Sequence, residues 1–85
     1  MKIKFEENNK RAAIIDNENI IGYCTYEDSG SSWVITHTVV NSDYQGQGLA
    51  KKILECVIDE AEKRGIDIIP VCSYAVRYFE KKNGK

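Results

Sequence analysis

One junction limits the possible folds of this chain more than any other stretch. An apolar, β-branched run ends at Val39-Val40. The polar segment Asn41-Ser42-Asp43-Tyr44-Gln45-Gly46-Gln47-Gly48 follows, and a period-3.6 pattern begins at Gly48. The order is strand, tight glycine loop, helix N-terminus. The first turn of a helix has backbone N–H groups with no intrahelical acceptor, and the positive end of the helix dipole lies beside them. Such a junction suits an anionic ligand, typically a phosphate. Gly46 and Gly48 can take positive φ and admit a ligand with no Cβ in the way. Ala50, small and in the first turn, keeps that approach open.

Two phosphate-binding motifs are excluded. No Gly-Lys-Ser/Thr closes the loop, so it is not a Walker sequence. Lys51 stands where a dinucleotide fingerprint needs its third glycine. What remains, Gln45-x-x-Gly48-x-Ala50, resembles the pyrophosphate loop of the GNAT superfamily, the acyl-CoA-dependent N-acetyltransferases. That signature is Arg or Gln, two residues, Gly, one residue, then Gly or Ala.

The rest of the chain is read around this loop. Ile3-Lys4-Phe5 is a short strand, and Asn8-Asn9 is a turn. Arg11–Asp16 is a second strand, closed by Asn17-Glu18-Asn19. Ile20–Glu27 is a third, with Ile21, Tyr23 and Thr25 on one face and Ile20, Gly22, Cys24 and Tyr26 on the other; Gly22 inside that run suggests a bulge or a close backbone contact. Trp33–Val40 is a fourth, with Trp33, Ile35, His37 and Val39 facing one way and Val34, Thr36, Thr38 and Val40 the other. Short loops between these strands predict an antiparallel meander. From Gly48 to Arg64, Leu49, Ala50, Ile53, Leu54, Val57, Ile58 and Ala61 make one apolar helix stripe. Asp59 with Lys63 and Glu60 with Arg64 are spaced as i,i+4 pairs, and Gly65 is the expected C′ residue.

Ile66–Cys72 is a fifth strand. The intervening helix is a crossover, so the fifth strand should run parallel to the fourth. Pro70 cannot donate to a ladder, which predicts that pairing stops there and the sheet opens. Ser73 is placed to cap a last helix containing Ala75, Val76, Tyr78 and Phe79, and Glu80–Lys85 is a polar, frayed tail. The expected fold class is α+β, a single domain over residues 1–85. It has about five strands, one long helix and a short C-terminal helix.

That order is similar to the central and C-terminal part of the GNAT fold, over roughly Ile20 to Phe79. In that family the fourth and fifth strands splay apart and the pantetheine arm lies in the gap. The helices usually found between the first two strands are replaced here by the Asn8-Asn9 turn, as in a very small GNAT-like class. The resemblance implies acetyl-CoA as cofactor and acetyl transfer to an amine of a small molecule or protein. A non-catalytic acyl-CoA-binding module or subunit is the alternative. It also implies that the backbone of Val39 and Val40 pairs with the pantetheine amides, and that Gln45, Gly46, Gln47, Gly48, Leu49 and Ala50 surround the pyrophosphate. Lys51 or Lys52 could reach the nucleotide phosphates; the other reading, a solvated helix face, is the favoured one for both.

Four side chains are candidates for the chemistry. A lysine-like amine, with a pKa of about 10.4, must lose a proton before it attacks. His37 on the fourth strand is the natural base; its other reading is a half-buried residue packed beside Trp33 and Ile35. Cys72, at the end of the fifth strand before a helix N-terminus, could face His37 across the splay. It reads as a nucleophile, as a small wall residue beside the thioester, or as a structural cysteine. Tyr74 and Tyr78 share a helix face. The resemblance assigns protonation of the departing thiolate to a tyrosine of this helix, with Tyr78 first and Tyr74 second.

Bulk properties narrow the classes. Eighty-five residues with 42% apolar and 29% charged content and a net charge of −1 offer no general attraction to nucleic acid or an anionic membrane. No apolar run approaches the ~20 residues of a membrane span. Met1–Glu7 lacks a signal-peptide h-region. Three scattered cysteines and one histidine match neither a disulfide framework nor a metal site, which suggests reduced thiols in a cytoplasm. Composition leaves monomer and homodimer equally open.

Overall fold

Five strands lie side by side in chain order, β1 (Lys2–Glu6), β2 (Arg11–Asp16), β3 (Asn19–Asp28), β4 (Ser32–Val40) and β5 (Asp67–Pro70). The computed structural model describes residues 1–82. β1 to β4 are antiparallel neighbours, and β4 and β5 are parallel. The parallel pair requires a crossover, supplied by α1 (Leu49–Lys63); α2 (Ser73–Lys82) follows β5. The expected α+β architecture is the one observed. The largest boundary differences are at the C-terminal end: β5 is four residues rather than seven, and α2 runs through Glu80–Lys82, where a frayed tail was expected. The remainder of that tail, 83–85, lies outside the described residues.

The stripe on α1 buries Leu49, Ile53, Leu54, Val57, Ile58 and Ala61 against the sheet. The sheet contributes Ala12, Ile14, Cys24, Tyr26, Trp33 and Ile35. The helix ends in a Schellman motif. Gly65 takes φ +68, its N–H donates to Glu62 O at 3.2 Å, and Ile66 N–H reaches back to Ala61 O at 2.9 Å. Arg64 pairs with Glu60 as expected and adds a two-pronged contact to Glu7, each N–O distance 3.0 Å. Lys63 pairs with Glu60 at 3.9 Å, not with Asp59.

Two β-bulges interrupt the strand alternation: one beside Gly22, where a bulge or close backbone contact was expected, and one on β4 that was not. On β3, Ile14 pairs with Gly22 and Ile15 with Ile20, so Ile21 is the extra residue. Ile21 therefore enters the core and Ile20 is 46% exposed, the reverse of the expected face. On β4, Tyr26 pairs with Ile35 and Thr25 with His37, so Thr36 is extra. Beyond it the faces switch. Thr38 and Val40 join Trp33 and Ile35 on the helix side, while His37 and Val39 turn to the opposite, uncovered face.

The β4–β5 ladder ends at Ile35–Pro70, as the proline predicted. Val71 and Cys72 N–H both donate to Ile35 O at 3.1 Å, and the chain then turns into α2. Among the described residues no strand covers the β5-facing edge of Thr36–Val40. The sheet is open there.

Candidate functional site

The glycine loop lies at the mouth of that opening. Past Val40, Asn41 caps a short 3-10 turn over Ser42–Tyr44, its side chain accepting from Asp43 N–H at 2.9 Å. The Tyr44 hydroxyl donates to Asp16 Oδ2 at 2.8 Å and ties the loop to the end of β2. That bond, with some burial, holds the phenol above its usual pKa. Gln45 Nε2 reaches Val40 O at 3.4 Å. Gly46 and Gly48 then take φ +86 and +73, and the space beside each Cα where a Cβ would stand is open.

Both glycines are thus required by the backbone path, and neither is forced by a neighbour's bulk. The consequence is a fan of donors. Among the described residues, the N–H groups of Gly46, Gln47, Gly48, Leu49, Ala50 and Lys51 have no acceptor, backbone or side chain; the first α1 bond is Lys52 N–H to Gly48 O. Lys51 and Lys52 stand in that first turn, which holds no acidic residue. Free donors and the positive end of the helix dipole therefore lie together at the start of α1.

A cavity of about 360 Å³ lies between this loop, the end of β4 and the start of α2. Thr38, Val40, Tyr44, Gln45, Gly46, Gly48, Leu49, Ala50 and Tyr74 line it. Six of the eight residues expected at the cofactor are therefore together. Gln47 contributes an unpartnered N–H but no cavity wall. Val39, 42% exposed, points its side chain to the far face and offers only backbone to the gap. Leu49 is buried, so its side chain serves the core while its N–H serves the loop. Thr38 and Tyr44 line the cavity without having been singled out. Thr38 could have been found from its two-residue spacing to Val40, and Tyr44 only from the tertiary bond to Asp16.

The four candidates for chemistry do not converge. His37 is exposed on the uncovered face, across the ladder from Thr25. It is not packed with Trp33 and Ile35, because the Thr36 bulge puts them on opposite sides. For the same reason it does not face Cys72. The Cys72 Sγ lies on the helix side, 3.5 Å from Thr38 Oγ1, and accepts from Ala75 N–H at 3.4 Å. Cys72, not Ser73, precedes the first helical residue of α2, and its carbonyl accepts from Val76 N–H at 3.0 Å. Thr38 also donates to Cys24 Sγ at 3.5 Å and stands between both sulfurs and the cavity. Cys24 is fully buried, which pushes its thiol up to about 11.

The tyrosines separate as well. Tyr78 gives its hydroxyl hydrogen to Glu55 Oε2 on α1 at 2.8 Å, and burial with that bond pushes the phenol up to about 12. Tyr74 is 38% exposed and lines the loop cavity, where Tyr78 does not. Of the pair, Tyr74 is the one beside the glycine loop.

A mixed sheet parting between two parallel strands, above a loop of free N–H groups, is what the acyl-CoA-dependent transferase resemblance required. Residues 10–84 match the GCN5-related N-acetyl-transferase family, and the chain belongs to it. Its structure is similar to the solution structure of a GCN5-like protein from Staphylococcus aureus, with 33% identity and a TM-score of 0.75 over 96% of this chain and 80% of that one. It also resembles an acetyltransferase from Clostridium acetobutylicum solved with acetyl-CoA, with 25% identity and a TM-score of 0.64 over 93% of this chain and 60% of that one. N-acetylglutamate synthase from Neisseria gonorrhoeae, complexed with coenzyme A and N-acetyl-glutamate, shares the fold at 18% identity and a TM-score of 0.71, over 94% of this chain but 22% of the synthase. No helix among the described residues is long and apolar enough to cross a membrane.

Proposed function

We propose that this chain binds acetyl-CoA and transfers its acetyl group to an amine of a small molecule or protein. The observation that carries this reading is the run of unpartnered N–H groups from Gly46 to Lys51 beside the unpaired edge of β4. Acetyl-CoA supplies an acyl group activated as a thioester. The loop N–H groups hold the pyrophosphate, and the two glycines let it approach the backbone. The free edge of β4 at Val39 and Val40 offers amide-pairing groups to an extended arm, as a sheet edge does to an added strand. Thr38, Val40 and Tyr74 wall the cavity beside the loop.

Proton handling divides between the faces of the sheet. His37, exposed on the uncovered face, takes the proton of an acceptor amine arriving from that side. Tyr74, a phenol whose pKa burial and the nearby Glu55 charge raise further above neutral pH, holds a proton that it can donate inside the cavity. Cys72 lies behind Thr38, which favours a supporting wall over direct attack on the thioester.

The test is thermal stabilisation by acetyl-CoA, CoA and ATP on wild type and Gly48→Glu, followed by acceptor-dependent release of free CoA thiol. A ligand that binds only the folded state must raise its apparent stability. A shift with acetyl-CoA, absent with ATP and lost in Gly48→Glu, is the expected result. No shift at saturating acetyl-CoA would remove the reading. Acetylation of Cys72 in the absence of acceptor would instead show a two-step route through that thiol.

A further inference from the structure

The glycine loop has little of its own to hold it in shape. Among the described residues, the N–H groups from Gly46 to Lys51 have no acceptor. Apart from their chain neighbours, nothing lies within 4 Å of where a Cβ of Gly46 or Gly48 would stand. Glycines lose more conformational freedom on ordering than any other residue. Gln45 adds only two long bonds, from its N–H to Ser42 O and from its Nε2 to Val40 O, each 3.4 Å. The loop is therefore set from its flank.

That flank is anchored on one neighbour, the β2–β3 hairpin. Asn41 N–H donates to the carbonyl of the bulged Ile21 at 2.7 Å. Further along, the Tyr44 hydroxyl donates to Asp16 Oδ2 at 2.8 Å, while the ring packs against the core and lines the loop cavity. Tyr44 is the residue before Gln45, so it is the last firmly bonded point ahead of the two glycines. Asp16 is itself fixed. It ends β2 opposite Asn19, across a two-residue turn in which Asn17 and Glu18 both take positive φ. Glu18 adopts that conformation at a steric cost that a glycine would avoid. The tight turn holds the Asp16 carboxylate beside the loop.

We infer that Asp16 and the Tyr44 hydroxyl are positioning groups for the cofactor loop, and that their bond sets acetyl-CoA affinity through loop geometry alone. The inference rests on the acetyl-CoA reading above. The hydroxyl is committed to Asp16, so it is not a donor to the pyrophosphate. It acts on the population of loop conformations. A protein whose binding-competent state is only partly populated binds with an affinity reduced by that fraction. With the bond in place, the segment from Gln45 to Gly48 starts from a fixed neighbour. Without it, the two glycines give the loop access to conformations in which its N–H groups no longer converge.

Calorimetric titration with acetyl-CoA tests this on wild type, Tyr44→Phe, Asp16→Ala, Asp16→Asn and the Tyr44→Phe/Asp16→Ala double variant. Thermal melts of the free proteins and circular dichroism verify folding. Tyr44→Phe is the cleanest deletion, since it keeps the ring, whereas Asp16 Oδ1 also lies 3.9 Å from the Met1 amine. Tyr44→Phe and Asp16→Ala should each weaken acetyl-CoA binding about three- to tenfold. The double variant should bind no worse than the weaker single one, because both lose the same bond. Asp16→Asn should stay within about twofold of wild type, since its amide oxygen still accepts the hydroxyl hydrogen. A bond that only stabilises the fold would lower the melting temperature and leave the folded variants with wild-type affinity. That result would overturn the inference and leave the acetyl-CoA reading standing. Losses that multiply in the double variant, or an Asp16→Asn as weak as Asp16→Ala, would overturn it too. Failure of wild type to bind acetyl-CoA would end both proposals.

Discussion

Tyr78 and Glu55 are bonded hydroxyl to carboxylate at 2.8 Å across the space between α2 and α1. The bond occupies the Tyr78 proton and leaves Tyr74 as the tyrosine on the glycine-loop cavity. Tyr74→Phe should lower the turnover of acetyl transfer by about tenfold or more, within the range for loss of a general acid, with little change in melting temperature. Tyr78→Phe should do the opposite, costing about 1 kcal/mol of stability or less and sparing turnover. Steady-state kinetics paired with thermal melts separate the two, and the reverse pattern would reassign the proton donor.

Burial of Tyr78, together with the same bond, predicts a pH dependence. The Tyr78 phenol titrates at about 12 in the folded chain and near its ordinary value of ~10 when unfolded. Below pH ~10 both states hold the proton, and the contribution is fully present. Between ~10 and ~12 the unfolded chain releases its proton first, so stability falls as pH rises. Chemical denaturation across this window should show a shallower decline for Tyr78→Phe than for wild type.

Gly48 occupies φ +73 with open space where a Cβ would be, so its replacement by alanine meets backbone strain but no clash. Gly48→Ala should cost roughly 1–2 kcal/mol. Gly48→Glu should add loss of acetyl-CoA binding, because its carboxylate projects among the free loop donors. Binding isotherms for a folded Gly48→Glu that matched wild type would contradict the placement of the anion.

Gly22 sets the position of the β4 end from the neighbouring strand. A Cβ there would lie 3.0 Å from Val39 O, 3.2 Å from Ile14 Cδ1 and 3.3 Å from Val40 Cγ2. Gly22→Ala should destabilise by about 1–3 kcal/mol and weaken acetyl-CoA binding, since the strain falls on the strand end that borders the cavity. Melting curves with and without ligand report both effects; a neutral substitution would mean that β4 yields freely.

Burial pushes the Cys24 thiol up to about 11, so native Cys24 should resist alkylation near pH 8. Cys56 and Cys72 are half-buried. Peptide mass mapping after brief iodoacetamide treatment should find Cys24 modified only once the chain unfolds. Modification of native Cys24 would show that the sheet opens there.

Most of the fold was legible because local patterns determine it. The stripe from Leu49 to Ala61 fixed α1, Gly65 its end, Pro70 the end of the parallel ladder, and Gly46 and Gly48 the left-handed turns before α1. These are properties of short windows, set by backbone sterics and hydrophobic period. The orientation of the chemical side chains was not legible. A strand's period of two is lost at a bulge, and whether Thr36 or Ile21 bulges depends on partner register, which is known only once β3 and β4 pair. That single inserted residue turned His37 away from Cys72 and brought Thr38 to the cavity. The choice between Tyr74 and Tyr78 likewise waited on Glu55, nineteen residues before Tyr74 in the chain and on another helix. The sequence alone determined which elements form and where the glycine loop meets the helix; tertiary pairing decided which side chains reach that loop, because register is a property of two strands and never of one.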